Sequence, residues 1–402
     1  MNFNLVSHLI YITSFIPLSS GANQTFFGGN NNESLLCWDL VWLVDALWER
    51  DYVPNQLLGG VCLKSNTVIT EKVLRSKPSS IVRENTILVS RPRKRWDGAI
   101  SCLKSFISAR IKSFIFIVVG DESGVNGKKC SFEPTYDSVP LVIRNYWTYD
   151  CANRTNILQV PLGLAQMFVG SRKRNRAFTE SEEASISFVQ RKYVWSFSSN
   201  HIVPIRDVYI EHIKALRMDH PEYNNLFIYN ESARQIDSYE MLSNSIFALC
   251  PEGTSPETWR FYESIECGAI PVVNSSTVEL FYQFVLPCNI SEYIVATKYP
   301  EIEIPKLLRN LTSLTERRDT LVSNYKLWRD DWKQRVAWRV QEVGLAGHRN
   351  DSFVANKEPL LNTTTVLAMR TASLGRTSYR EYLESNNFRE LFWDFDSCKK
   401  HS

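Results

Sequence analysis

Length, composition and charge exclude several classes of protein. The chain has 402 residues, 44% of them hydrophobic, and a formal net charge of +3. A chain of this length exceeds what one hydrophobic core usually supports, so two domains are expected. The near balance of charge gives no electrostatic reason to expect a nucleic acid or an acidic surface as partner. The partner is expected to be a small molecule or the end of a polymer.

The first 22 residues are typical of a targeting segment. An apolar stretch from Leu5 to Leu18 ends in small residues up to Ala22, as in a secretory signal peptide, although no Lys or Arg precedes it. A short signal anchor is the alternative, but the stretch is shorter than the ~20 residues that a membrane span needs. We therefore expect residues 1–22 to be a signal peptide or a short signal anchor, with membrane contact only through such an anchor.

Sequons and cysteines favour the lumen of the secretory pathway. Acceptor sequons for asparagine-linked glycans begin at Asn23, Asn32, Asn153, Asn230, Asn274, Asn289, Asn310, Asn350 and Asn362. The nine cysteines include no CxxC pair, which argues against a zinc ribbon or a thioredoxin site. In an oxidising lumen some of them should form disulfides. Cys250 and Cys267 lie within one short motif, and we expect them to be packed thiols.

The first half of the chain alternates between helical and strand-like segments. Residues 37–50 (CWDLVWLVDALWER) have apolar side chains at helical spacing and predict an amphipathic helix, and residues 99–113 are also helix-like. The β-branched and aromatic run that begins at Phe114 suits a buried parallel strand. Other short apolar runs cover residues 67–70, 86–90, 141–147 and 156–163. Strands that alternate with helices predict a parallel sheet.

A polar stretch at residues 170–187 separates this half from a second alternation. We place the domain boundary there, with one Rossmann-like domain at 23–185, a second at 186–345 and a polar extension at 346–402. The second half is predicted to contain strands at 193–197, 226–229, 245–250 and 269–273 and helices at 205–218, 238–244, 256–266 and 304–344.

The most informative segment is FALCPEGTSPETWRFYESIECGAIPVV, residues 247–273. It predicts a strand, a turn that contains Gly253, a helix and a second strand. Ser255 is a suitable N-cap, and Pro256 suits the first helical position because its missing N–H has no partner there. Gly268 is placed to end the helix in a left-handed conformation.

This segment could bind a nucleotide. The N–H groups from Thr254 to Glu257 would point out of the helix end toward a diphosphate, so Gly253, Thr254 and Ser255 are candidate ligands. Arg260 could donate to that diphosphate in bidentate fashion, and Glu263 could accept from two ribose hydroxyls. The alternative is that Arg260 and Glu263 form an ordinary ion pair on the helix surface, with a contribution of a few tenths of a kcal/mol.

The pattern resembles the nucleotide-sugar half of exostosin-type (GT47) glycosyltransferases, most closely their ribitol-phosphate xylosyltransferase branch. The residues that carry the likeness are LCPEG, RFYE and GAIPVV within 247–273, together with IVVGDE at 117–122, QVPLG at 159–163 and YVWSF at 193–197. The resemblance implies a GT-B fold, which consists of two Rossmann-like domains with parallel sheets that face each other across a cleft. It also implies a UDP-sugar donor, bound by the second domain, and no required metal.

Roles for individual residues follow from the same resemblance. Arg260 and Glu263 would hold the diphosphate and the ribose, and Arg206 would be a second ligand of the diphosphate. The catalytic base would come from the first, acceptor-side domain, where Asp121 and Glu122 stand at the end of a predicted strand. These two carboxylates are our candidates for the base.

The expected activity is inverting transfer of a sugar, with xylose as the first choice, from a UDP-sugar to a glycan on a glycoprotein in the Golgi lumen. Alternatives are an exostosin-like transferase that uses UDP-glucuronate or UDP-galactose, and an inactive lumenal relative that binds glycans. We expect no metal or other cofactor. The histidines show no ligand spacing, and the Asp394-Phe-Asp396 triplet lies far from any core strand at the C-terminus.

Overall fold

The computed structural model of the protein describes residues 36–43, 46, 50–81, 83–91, 111–120, 136–146, 151, 154–165, 168–169, 188–198, 211, 214, 227–230, 238–252, 257–278, 282 and 286–348. All of them lie in one compact unit, Leu36–Ser402. Two parallel sheets form its framework. The predicted α/β class, with the paired Rossmann-like sheets of a GT-B fold, is confirmed.

The first sheet has the strand order β2-β1-β3-β4-β5-β6, and all its pairs are parallel. Its strands are β1 (Cys37–Leu43), β2 (Cys62–Ile69), β3 (Thr86–Ser90), β4 (Phe114–Val118), β5 (Leu141–Arg144) and β6 (Ile157–Gln159). Every residue of the four strands β3, β4, β5 and β6 is buried, as expected for strands covered on both faces. Because β1 lies between β2 and β3, the order is that of a doubly wound fold.

The helix predicted at residues 37–50 is wrong, because its first half is the strand β1. Trp38 and Trp42 pack into the core on one face of the sheet, while Val41 and Leu43 pack into the core on the other. A segment that is buried on both faces has no polar side, so the spacing of its apolar residues does not distinguish a strand from a buried helix. The pairing of β1 with strands on both sides decides the outcome.

A disulfide joins the first residues of β1 and β2, Cys37 and Cys62, which are also partners in the strand register. Cys151 is disulfide-bonded as well. Cys250 and Cys267 are buried free thiols, as predicted. The expectation that some cysteines pair is therefore confirmed.

The second sheet has the order β11-β10-β9-β7-β8 and is also parallel. Its strands are β7 (Tyr193–Ser198), β8 (Phe227–Asn230), β9 (Ser245–Leu249), β10 (Ile270–Val273) and β11 (Val295–Ala296). Its first strand, β7, lies between β8 and β9, so the doubly wound pattern of the first sheet is repeated. The strands predicted near 193, 226, 245 and 269 are confirmed within one or two residues.

Within the part of the chain that the structure describes, the helices are α1 (Glu71–Ser76), α2 (Pro78–Ile81), α3 (Ser238–Ser243), α4 (Trp259–Glu266), α5 (Ser275–Thr277), α6 (Cys288–Ser291), α7 (Pro300–Leu308) and α8 (Leu311–His348). A π-helical turn covers Val53–Leu57, and a 3₁₀ turn covers Phe188–Gln190. Within the described ranges, no helix combines the length and the apolar character that crossing a bilayer requires.

The long helix α8 connects the two halves. Its 38 residues span about 57 Å at 1.5 Å per residue. Leu321 and Tyr325 belong to the core of the second half, whereas Val336 and Val340 belong to a core of the first half. Near its end, Arg339 Nη2 donates to the carbonyl oxygen of Thr155, 3.2 Å away, just before β6.

The single helix predicted from residue 304 to 344 is interrupted between α7 and α8. Asn310 lies directly before α8, and its Oδ1 accepts a hydrogen bond from the N–H of Ser313 at 3.0 Å. This is the geometry of an N-cap, in which the side chain occupies a first-turn N–H group that has no carbonyl partner. The interruption therefore has a local cause in the sequence.

Candidate functional site

The topology of the second sheet marks one place for a ligand. In doubly wound sheets, ligands bind beyond the carboxyl ends of the strands, where the strand order reverses. Here that point lies between β7, which ends at Ser198, and β9, which ends at Leu249. Arg206 follows β7 in the chain, and residues 253–255 and Arg260 follow β9. Both segments predicted to bind the donor therefore leave the sheet at this point.

Most of the predicted site residues lie outside the part of the chain that the structure describes: Asp121, Glu122, Arg206, Gly253, Thr254 and Ser255. Arg260 and Glu263 are described, and both lie on α4, the helix that follows β9. The geometry of the candidate site is therefore built from this helix and its neighbours.

Helix α4 begins three residues later than predicted. Its N-cap is Thr258, in an extended conformation with φ −130° and ψ 143°, so the prediction that Ser255 caps the helix and Pro256 opens it is wrong. The residue before this N-cap, Glu257, has a buried side chain that binds another segment. The first turn is built from Trp259 and Arg260 onward.

The carboxyl end of α4 is as predicted. Gly268 follows the helix with φ +66°, a conformation that favours glycine. Its N–H donates to the carbonyl oxygen of Ile265, and the N–H of Ala269 donates to that of Ser264, both at 2.9 Å. This pair of hydrogen bonds is a Schellman motif. It turns the chain directly into β10, so the helix is held closely between two neighbouring strands.

Glu263 is an inward-facing residue of α4. Its side chain is only 4% exposed, and its Oε1 accepts a hydrogen bond from the N–H of Ala165 at 3.2 Å. Burial raises the pKa of Glu263 above its ordinary value, while the charge of Arg260 and the N–H of Ala165 oppose the rise. Arg260 itself is half-buried. The pair is thus not the solvent-exposed ion pair that was the alternative from sequence.

Glu257 is a site residue that sequence reasoning missed. Its side chain is 3% exposed, and Oε1 accepts from the N–H of Leu162 at 2.8 Å and from the hydroxyl of Tyr262 at 2.6 Å. Two carboxylates near α4, Glu257 and Glu263, therefore bind N–H groups of one segment, residues 160–165, which we call the linker. The segment Gln159–Gly163, which overlaps the linker, was singled out by resemblance, but nothing in its own sequence indicates that it contacts Glu257 or Glu263.

The linker takes a sharp turn at Gly163. The φ of this residue is +76°, and a Cβ there would lie 2.0 Å from the ring of Tyr52. The hydroxyl of Tyr52 donates to the carbonyl oxygen of Pro161 at 3.2 Å. Only glycine has both the backbone freedom and the missing side chain that this contact requires. The linker is therefore held by Tyr52 of the first half and by α4 of the second.

The segment that leads to Asp121 and Glu122 is anchored at the carboxyl edge of the first sheet. The N–H of Gly120 donates to Oδ1 of Asn145, which is buried just after β5, at 2.8 Å. Arg91, which directly follows β3, packs its side chain against Gly120. Neither Asn145 nor Arg91 was predicted from sequence, because a polar residue after a strand is too common to be distinctive.

The described residues support neither a metal site nor a cysteine nucleophile. No group of three His, Cys, Asp or Glu side chains among them is arranged to hold a metal ion. Cys250, at the end of β9, is fully buried, and burial raises the pKa of its thiol to about 12. A thiol with that pKa stays protonated, so it is a packing residue and not a nucleophile.

Part of the chain matches a known protein family. Residues 175–311 match the family described as the Exostosin GT47 domain. Over this stretch, about a third of the chain, the protein is similar to exostosin-type glycosyltransferases. The matched residues extend across β7, β9, α4 and β10 and so include Glu257, Arg260 and Glu263. The likeness supports a glycosyltransferase, an enzyme that transfers a sugar from a donor to an acceptor.

Similarity to solved structures is spread over the chain at low sequence identity. An α1,3-fucosyltransferase shares 11% identity at a TM-score of 0.38, over 86% of this chain and 92% of its own. An α,α-trehalose-phosphate synthase (UDP-forming) from Burkholderia vietnamiensis shares 7% identity at a TM-score of 0.46, over 76% of this chain and 99% of its own. A putative UDP-N-acetylglucosamine 2-epimerase from Listeria monocytogenes shares 8% identity at a TM-score of 0.42, over 79% of this chain and 98% of its own. No curated protein matches the sequence significantly. The fold assignment rests on the sheet topology described above.

Proposed function

We propose that the protein is an inverting glycosyltransferase that moves a sugar from a UDP-sugar to a glycan acceptor. The observation that carries the proposal is the position of Arg260 and Glu263. They lie one turn apart on the helix that follows β9, beside the point where the strand order reverses, within the residues that match the exostosin family. Xylose is our first choice of sugar and a ribitol-phosphate glycan on a glycoprotein our first choice of acceptor, on the likeness of residues 247–273.

Each residue has a definite role in the proposed donor site. The guanidinium of Arg260 donates to the diphosphate, which is the bidentate geometry that arginine favours. Gly253, Thr254 and Ser255 surround the same group, and Arg206 supplies a second positive charge. Because Oε1 of Glu263 accepts from Ala165, its other oxygen, Oε2, would accept from a ribose hydroxyl. These positive and N–H groups would stabilise the leaving UDP without a metal ion.

The base in this proposal is Asp121 or Glu122. One of these carboxylates takes the proton from the acceptor hydroxyl while its oxygen attacks the anomeric carbon on the face opposite UDP, which inverts the configuration. Their position after β4 is supported by the anchoring of Gly120 at the carboxyl edge of the first sheet. We place the reaction in the Golgi lumen, which the Cys37–Cys62 disulfide and the sequons support.

The test is binding and turnover of nucleotide sugars by the full chain. UDP-xylose, UDP-glucuronate and UDP-galactose are compared by thermal shift and by slow hydrolysis of the donor. Arg260→Ala should abolish the shift, since a charge-assisted bidentate contact contributes about 1.5–3 kcal/mol, or roughly ten- to a hundredfold in affinity. Arg309→Ala is the matched control, because Arg309 is exposed at the end of α7 and outside the site.

The outcomes separate the candidates. Turnover of UDP-xylose that depends on Arg260 supports the first choice, and turnover of another UDP-sugar selects the alternative donor. UDP binding without turnover on any acceptor favours an inactive glycan-binding relative. If no nucleotide shifts the melting temperature and Arg260→Ala changes nothing, the donor site is not where we place it.

A further inference from the structure

The structure places two of the asparagine-linked glycosylation sequons in different environments. Among the sequon asparagines, Asn274 and Asn310 have side chains within the part of the chain that the structure describes. A glycan is bulky and hydrophilic, so the asparagine that carries it has to lie at the surface with solvent around it. Asn310 is exposed, whereas Asn274 is half-buried. The two sites therefore differ in their capacity to carry a glycan.

Asn310 lies in the short connection between α7 and α8. Its carbonyl oxygen accepts from the N–H of Leu314 at 3.0 Å, and its Oδ1 accepts from the N–H of Ser313 at 3.0 Å, so it is the N-cap of α8. A glycan is attached through Nδ2, so Oδ1 remains an acceptor. The cap can therefore persist in the glycosylated protein. Thr312, the third residue of the sequon, is exposed as well.

Asn274 lies in a more crowded place, directly after β10. Its Oδ1 accepts from the N–H and from the hydroxyl of Ser276, at 3.0 and 2.9 Å. The next residue, Thr277, is buried and donates its hydroxyl to Oε2 of Glu252 at 2.9 Å. The turn that begins at Asn274 is therefore held against the residue that precedes Gly253. A glycan on Asn274 would stand next to the predicted donor residues 253–255.

The two asparagines also lie at opposite edges of the second sheet. Asn274 follows β10, so it lies at the carboxyl edge, where ligands bind in doubly wound folds. On α8, Arg317 donates to the carbonyl oxygens of Tyr293 and Ile294, at 2.9 and 2.6 Å, just before β11 begins. Because the strands are parallel, these carbonyl groups mark the amino edge. Arg317 is about two turns, or roughly 10 Å along the helix, from Asn310. A glycan at Asn310 would therefore stand away from the proposed donor site.

We propose that Asn310 carries an asparagine-linked glycan in the mature protein and that Asn274 does not. In the modification, Nδ2 of Asn310 gives up one proton and forms a bond to the anomeric carbon of an oligosaccharide that is carried on a lipid diphosphate, and the lipid diphosphate leaves. The inference rests on the lumenal location proposed above, because such sequons are modified in secreted proteins. It does not depend on the donor sugar or on the catalytic residues.

The experiment measures which sequons are occupied when the full chain is expressed in cells that glycosylate secreted proteins. Glycans are removed with an amidase that converts each glycosylated asparagine to an acid, and the converted positions are mapped by mass spectrometry. Thr312→Ala is the test variant, because it destroys the sequon and leaves the N-cap Asn310 in place. Ser313→Ala is the matched control, since Ser313 is the next exposed residue of α8 and lies outside the sequon. Ser276→Ala destroys the sequon of Asn274.

We expect conversion at position 310 and none at position 274. In gel electrophoresis Thr312→Ala should migrate ahead of the wild type by the loss of one glycan, whereas Ser313→Ala and Ser276→Ala should migrate with the wild type. The inference is overturned if Asn310 is unmodified while other sequons carry glycans, if Asn274 is modified, or if Thr312→Ala migrates like Ser313→Ala. A chain without a glycan at any sequon would contradict the lumenal location, and this inference with it.

Discussion

Replacement of Glu257 tests whether the linker is held to α4 as the structure indicates. The carboxylate accepts two hydrogen bonds, from the N–H of Leu162 and the hydroxyl of Tyr262, and both donors are buried. Glu257→Ala leaves each donor without this acceptor, at a cost of about 1–3 kcal/mol per group. We expect the free energy of unfolding to fall by about 3–4 kcal/mol. Glu257→Gln retains a carbonyl oxygen and should lose about half as much.

The measurement combines equilibrium unfolding in urea with amide hydrogen exchange of the linker. Glu252→Ala is the control, since that carboxylate accepts one hydrogen bond, from Thr277 Oγ1 at 2.9 Å, and should cost about 1 kcal/mol. In Glu257→Ala, exchange at Leu162 should accelerate, whereas in the control it should not. If Glu257→Ala costs no more than the control, or if exchange at Leu162 is unchanged, the carboxylate does not hold the linker.

Three further predictions concern stability. Burial raises the pKa of Glu263 in the folded protein. The stability of the wild type relative to Glu263→Gln should therefore fall as the pH rises above 4.5, the ordinary pKa of a glutamate. Urea unfolding over a series of pH values measures this difference, and a constant difference would contradict the prediction. Replacing Cys37 and Cys62 by serine should cost about 3.5 kcal/mol, because the disulfide closes a loop with a sequence separation of 25; unchanged thermal unfolding would contradict it. Gly347→Ala should lower the free energy of unfolding by about 1–2 kcal/mol, although alanine has the better helix propensity. The reason is that the new Cβ would lie 2.8 Å from Cβ of Ser113. A rise in melting temperature would show that this contact relaxes.

The parts of the fold that depend on residues close together in sequence could be predicted. The strands β9 and β10 were predicted from their runs of apolar residues, and the end of α4 from the glycine that follows it, Gly268. All of these signals lie within one short segment. The same holds for the packed thiols Cys250 and Cys267, which lie on that segment. The residues of this segment therefore predicted its two strands and the end of its helix.

Several failures of prediction came from partners that are distant in sequence. The buried position of Glu257 was missed because its partner Leu162 is 95 residues away. Strand β1 was predicted to be a helix because both of its faces are buried, and its neighbours β2 and β3 decide its form. The pairing of Glu266 with Arg329 was not predicted either, since these residues are 63 apart in sequence and meet only after α8 has packed.

The contacts of α4 connect its two ends to the junction of the halves. At its amino end, Glu257 binds the linker, and one turn after Arg260, Glu263 binds it again. At its carboxyl end, Glu266 pairs with Arg329 of α8. A movement of the first half relative to the second must therefore either carry α4 along or break hydrogen bonds to buried carboxylates, which cost more than neutral ones. If Arg260 holds the diphosphate as proposed, the geometry of the donor site is set in part by the linker, and substitutions at Glu257 should change donor affinity without contacting the donor.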